Sequence, residues 1–198
     1  MNRVKVFLTF IFLIINSPLF AYSSDPKEFV QELVTEAIEK LSDKNLTNDE
    51  KAKFVEKVAI ENVDINALGL YTLGELRKSS NESDLMNYQV AFEKYFLKSL
   101  TSRLKDYSSS RFEVVDSEKK SATYTIVKSI VNPEDSGPNI KIDWRIYTKN
   151  PEKPLIRDLI VEGLSLARTQ KEEFSSILNS NNNDIKILIK KLEEFVKG

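Results

Sequence analysis

In the stretch Arg157-Asp158-Leu159-Ile160-Val161-Glu162-Gly163-Leu164-Ser165-Leu166 an apolar strand runs through a carboxylate and a glycine into a helix. Leu159 and Val161 alternate with Ile160 and Glu162 in the two-residue period of a strand. Gly163 then frees the backbone to turn, and Leu164 opens a 3.6-residue apolar pattern that continues through Ala167, Phe174 and Leu178. A strand therefore hands over directly to a helix. Asp158 and Glu162 are four residues apart, so on a strand their side chains share a face. That spacing suits paired acid–base carboxylates, or carboxylates that bond nearby backbone and basic groups and fix the turn. With Ser165 beside them, the residues Asp158, Glu162, Gly163 and Ser165 read as a structural turn rather than a catalytic one.

Upstream of this junction the period is also two. Phe112 and Val114 sit on one face of a short strand, and Ala122, Tyr124 and Ile126 alternate with threonines. Ile140, Ile142, Trp144 and Ile146 alternate with Lys141, Asp143 and Arg145. Pro133, Gly137 and Pro138 punctuate one connection, and Asn150, Pro151 and Pro154 the next. Leu155 to Val161 is then the fourth strand of an antiparallel meander.

On either side of the strands the period is helical. Ser24 or Asp25 caps a helix with Phe29, Leu33, Ala37 and Leu41 on one face. Thr47 and Glu50 form a capping box for a second helix carrying Phe54, Val58 and Ile60, and Asp64 caps a third with Ile65 and Leu68. A long periodic segment from Glu82 to Tyr107 gathers Tyr88, Phe92, Tyr95, Phe96, Leu100 and Leu104 into one broad stripe. Two helices close the chain, one with Phe174 and Leu178 and one with Ile185, Leu188, Leu192 and Phe195, parted by Asn181 to Asn183. The expected architecture is α+β: a four-stranded antiparallel, twisted sheet wrapped by six or seven helices.

The compartment is written in the first residues. Arg3 and Lys5 precede an apolar run from Val6 to Ile15, and Pro18, Ala21 and Ser23 supply a break and small residues for cleavage. Residues 1–21 read as a secretory signal peptide, with cleavage as late as 23, and 22–198 as one domain. No cysteine follows the apolar run, so a lipoprotein anchor is not expected, and no disulfide contributes to stability. Loss of Arg3 and Lys5 reduces 29 basic residues to 27 against 30 acidic, a net charge of −3. That balance argues against nucleic acid and against passive adhesion to anionic lipid. No later segment has the roughly 18–20 apolar residues of a stable membrane span.

Catalytic options are few. With no histidine and no cysteine, Ser-His-Asp and Cys-His nucleophiles are excluded, no Gly-x-Ser-x-Gly elbow occurs, and the commonest metal ligands are missing. No enzyme activity, metal or cofactor is expected. An apolar sheet face and an aromatic helix stripe can instead part into a dry slot of the kind aliphatic chains require.

Several of these residues carry a resemblance through their order and spacing. They are Leu73 and Gly74; Phe92, Tyr95, Leu104 and Tyr107; Trp144; Asp158, Glu162, Gly163 and Ser165; then Phe174, Leu188 and Leu192. Together they resemble the MlaC, or toluene-tolerance, family of periplasmic phospholipid-binding proteins over essentially the whole mature chain. One departure is Asn181-Asn182-Asn183 in place of a glycine-rich turn, and asparagine tolerates the left-handed angles needed there.

The resemblance implies a periplasmic shuttle that carries diacyl phospholipid between an outer-membrane lipoprotein complex and an inner-membrane ABC transporter with MCE domains, maintaining outer-membrane lipid asymmetry. It also implies a slot between sheet and helices. The candidate lining is Phe29, Leu33, Leu73, Tyr88, Phe92, Tyr95, Phe96, Leu100, Leu104, Tyr124, Ile126, Ile142, Trp144, Ile146, Leu159, Val161, Leu164 and Phe174. Two other classes remain open from the residues alone: a periplasmic chaperone or lipoprotein carrier, and a small cone-shaped binding or isomerase domain.

Overall fold

The computed structural model describes residues 22–104, 110–133 and 138–198; the expected signal peptide, Tyr107 and Gly137 lie outside the described residues. Helix α1 (Pro26–Ser42) starts at Asp25, whose carboxylate accepts from the amides of Lys27 and Glu28. In α2 (Asn48–Asn62) the capping box is complete: the Glu50 amide donates to Thr47 Oγ1 at 3.3 Å, and the Thr47 amide donates to Glu50 Oε2 at 2.8 Å. Asp64 caps α3 (Ile65–Thr72), and short α4 (Leu76–Ser79) leads into the 23-residue α5 (Glu82–Leu104). Ser165 caps α6 (Leu166–Asn179), and Asp184 caps α7 (Ile185–Lys197). Each cap satisfies an amide that the first helical turn leaves without a partner.

The face of α2 differs from the sequence reading. Val55, Ala59 and Asn62 are its buried residues, while Ile60 points into solvent. The i, i+4 spacing of Val55 and Ala59 outweighs the larger apolar side chains beside them.

One antiparallel sheet runs in chain order: β1 (Ser110–Ser121), β2 (Tyr124–Pro133), β3 (Ile140–Tyr147), β4 (Leu155–Val161) and β5 (Leu164–Ser165). Among the described residues it has five strands rather than the expected four. The added strand is two residues long and turns back on β4, pairing Leu164 with Val161 and Ser165 with Ile160. Leu164 therefore ends the hairpin instead of opening α6. Strand β1 is also longer than its apolar residues indicate. Its polar half, from Asp116 onward, is held by pairing with β2, including an Asp116–Lys128 ion pair at 3.0 Å.

Strand β2 corrects the phase of the alternation. Its buried residues are Thr125, Val127, Ser129 and Val131, so Tyr124 and Ile126 lie on the opposite, outer face. A side-chain period of two makes phase an all-or-none matter. Here Val127 and Val131 set it, and two small polar residues go inside with them.

The interior divides into two apolar cores. In the first, Phe29, Val30 and Leu33 of α1 cover the inner sheet face at Val114, Val127, Trp144, Ile146 and Ile156. In the second, Leu68 of α3, Tyr88 and Phe92 of α5, Phe174 and Leu178 of α6, and Leu188 and Leu192 of α7 pack together. Val63, between α2 and α3, packs against both cores and forms a parallel bridge to Ile156 of β4.

Candidate functional site

On the inner face, cross-strand pairing fixes three rows of side chains. The first joins Thr125, Ile146 and Ile156; the second Val127, Trp144 and Leu159; the third Ser129, Ile142, Val161 and Leu164. A bulge in β4 lets Arg157 and Asp158 both leave this face while Ile156 and Leu159 stay on it. The first row is closed over by α1. In the other two, Leu159, Ile142 and Val161 are only half-buried, leaving an apolar floor at that end of the sheet.

Trp144 is the anchor of this floor. Its indole N–H donates to Ser129 Oγ at 2.9 Å, and Ser129 donates in turn to the Ile142 carbonyl at 2.9 Å. Phe112 meets the indole edge-on, with ring centroids 6.2 Å apart. The buried serine thus supplies the partner that an indole needs in an apolar setting.

The helical residues of the candidate lining lie in the other core. Phe92 contacts the rings of Tyr88, Tyr95, Phe96 and Phe174 at centroid separations of 5.9–6.4 Å. Tyr88 is fully buried, shares a 2.9 Å hydrogen bond with Thr72 Oγ1, and has its phenol pushed well up by burial despite that bond. Tyr95 donates to Gln170 Oε1 at 2.9 Å. Leu73 is buried and Leu100 half-buried, and the Leu104 side chain lies outside the described residues. The α5 stripe therefore closes on α3, α6 and α7, and the inner sheet face is covered mainly by α1.

Three candidates lie outside the half-buried floor, Leu164 at the open end of its inner-face row. Tyr124 and Ile126 occupy the outer face, and Leu164 is 69% exposed. Tyr124 belongs instead to a polar joint. Arg157 donates to its hydroxyl at 2.8 Å, pairs with Asp64 at 2.7 Å, and lies 3.4 Å over the Tyr147 ring. Because the Asp64 amide also donates to the Ile156 carbonyl at 2.9 Å, this joint ties α3 to the sheet. The sequence reading missed Val30, Val127, Ile156 and Val63. Val127 and Val131 carried the phase of β2, whereas nothing local marked Val63 as the residue between two cores.

The turn residues Asp158, Glu162, Gly163 and Ser165 do not share one face. Asp158 is buried and accepts from Ser165 Oγ at 2.6 Å and the Ala167 amide at 3.0 Å, with Arg145 3.6 Å away. Glu162 sits in the β4–β5 turn with φ 49°, and its carboxylate accepts from the Lys141 amide at 2.5 Å. Both carboxylates are committed to backbone. A groove of about 590 Å³ between α3 and α6 is lined by Tyr71, Arg168, Lys171, Glu172 and serines. Its polar lining suits aliphatic chains poorly, and it lies apart from the apolar floor.

Comparison with known protein families identifies the chain's relatives. The family profile described as MlaC protein matches residues 31–194. The chain belongs to the MlaC family. Among solved structures, it resembles a phospholipid-binding protein from Ralstonia solanacearum determined in complex with a phospholipid. The TM-score is 0.71 at 16% sequence identity, with 86% of this chain and 96% of that one covered, so the two share a fold. No curated protein matches in sequence. Among the described residues, no helix is long and apolar enough to cross a membrane.

Proposed function

We propose that this member of the MlaC family is a periplasmic phospholipid carrier, with residues 1–21 removed on export and 22–198 forming the lipid-binding domain. It takes diacyl phospholipid between an outer-membrane lipoprotein complex and an inner-membrane ABC transporter containing MCE domains. The observation that carries the reading is the division of the interior into two apolar cores bridged by Val63, with a half-buried floor at Ile142, Leu159 and Val161. Acyl chains enter between the cores, and the headgroup stays at solvent.

Energetics favour a carrier over release into water. At about 0.8 kcal/mol per buried CH₂, two acyl chains correspond to roughly 20 kcal/mol of gross burial, so escape into solvent is slow. Another apolar host offers the chains nearly the same environment, so exchange between carrier and membrane is close to balanced. No covalent chemistry is needed for that task.

Solvent extraction of protein purified without detergent from its own envelope, followed by mass spectrometry, tests the proposal. Near-stoichiometric diacyl phospholipid is the expected result. Its absence, or recovery of an acylated peptide instead, contradicts it.

A further inference from the structure

Leu164 is the most exposed large apolar residue among those described, at 69%, although its neighbours in the row are not free surface. Through the pairs Ser129–Ile142, Ile142–Val161 and Val161–Leu164 it continues one row of the inner face to the sheet edge. Exposure along that row rises from 2% at Ser129, through half-buried Ile142 and Val161, to Leu164. The row through Ile146 ends instead on Ile156, at 7%. The inner face thus opens at its β5 end.

The turn holds Leu164 in this place. Glu162 and Gly163 have φ of 49° and 84°, the doubly left-handed pattern of a tight hairpin turn that matches strand twist. A glutamate adopts that region only when something compensates. Here its amide donates to the Lys141 carbonyl at 3.0 Å, and its carboxylate accepts from the Lys141 amide at 2.5 Å. The hairpin is pinned to the start of β3, and an exposed leucine is presented at a fixed position beside the half-buried floor.

We propose that the β5 edge is the doorway through which phospholipid tails pass, with Leu164 as its lip. This rests on the carrier reading and adds the route. An acyl chain leaving a membrane meets Leu164 first, then Val161 and Ile142, so apolar contact begins before the chain has left its bilayer. Leu164 lowers the barrier to transfer while adding little to the affinity of the loaded state.

Transfer of a pyrene-tailed phosphatidylglycerol from the loaded protein to vesicles of phosphatidylethanolamine and phosphatidylglycerol, with no other protein present, tests the route. L164D and the milder L164S are expected to slow transfer about tenfold. L164M and the control I60D, at a separate exposed apolar residue, transfer at the wild-type rate. The urea midpoint of L164S stays at the wild-type value, because an exposed side chain contributes little to folding. Wild-type rates in both L164D and L164S, with V161D losing its lipid, overturn the doorway and leave the carrier standing; so do equal losses in L164S and I60D. If the wild-type protein takes up no phospholipid, both readings fail.

Discussion

Asp158 shows how far a single residue can be read before a structure exists. Its place beside Gly163 and Ser165 suggested a carboxylate that fixes a turn, and it does so by accepting from Ser165 Oγ and the Ala167 amide. The supposed partnership with Glu162 on one face was wrong, because the chain has already entered its turn at Glu162. D158A leaves buried donors without a partner, so we expect a loss of about 2–3 kcal/mol in urea unfolding. Two glycines allow a sharper contrast. A Cβ at Gly163 meets nothing within 4 Å, so G163A is opposed by its positive φ alone, a cost of about 1 kcal/mol. A Cβ at Gly69 lies 2.9 Å from Phe92 Cδ1, so G69A overpacks the helical core and costs about 1–3 kcal/mol. Thermal shift of the Phe92 environment, followed by NMR, should appear in G69A and be absent from G163A.

At the scale of elements, caps were legible because they are written in adjacent residues. Thr47 and Glu50 form the expected reciprocal box, and Asn182 and Asn183 hold φ of 53° and 57° in the turn before α7, the left-handed angles asparagine tolerates. The Thr47 amide holds the Glu50 carboxyl below its usual range. A carboxyl lowered in the folded state contributes stability above its unfolded pKa and loses it as acid titrates the folded group. The E50Q variant should therefore show a flatter fall in α2 stability on acidification, read by hydrogen exchange of the Thr47 and Glu50 amides. The phase of β2 was not legible from Tyr124 and Ile126, since aromatic and β-branched residues suit either face of a sheet. Faces now make a direct comparison possible. V161D, on the inner floor, should lose most of its bound phospholipid, while I126D, on the outer face, should retain it; equal retention in folded samples would move the lipid off the inner face.

For the molecule as a whole, the sequence revealed the class of layers but not how the apolar residues divide. The stripe on α5 and the apolar faces of β3 and β4 were legible as apolar, unlike the phase of β2, and nothing in their periodicity tells which helix meets which surface. That is settled by long-range packing: α5 turns to α3, α6 and α7, α1 takes the sheet, and Val63 meets both. The joint of Asp64, Arg157, Tyr124 and Tyr147 spans more than ninety residues of chain and had no local signature. Among the described residues the floor carries no arginine cluster, so we expect tail-dominated recognition, with matched neutral and anionic diacyl lipids competing within about tenfold, or 1.4 kcal/mol. We place the acyl chains of the carrier between the two cores. Photo-crosslinking with a phospholipid that carries a diazirine in its tail, followed by peptide mapping, tests that claim most directly. Adducts should fall on the β3 and β4 peptides at Ile142, Leu159 and Val161; adducts confined to the outer face at Tyr124 and Ile126, or to the polar groove beside Lys171, would contradict it.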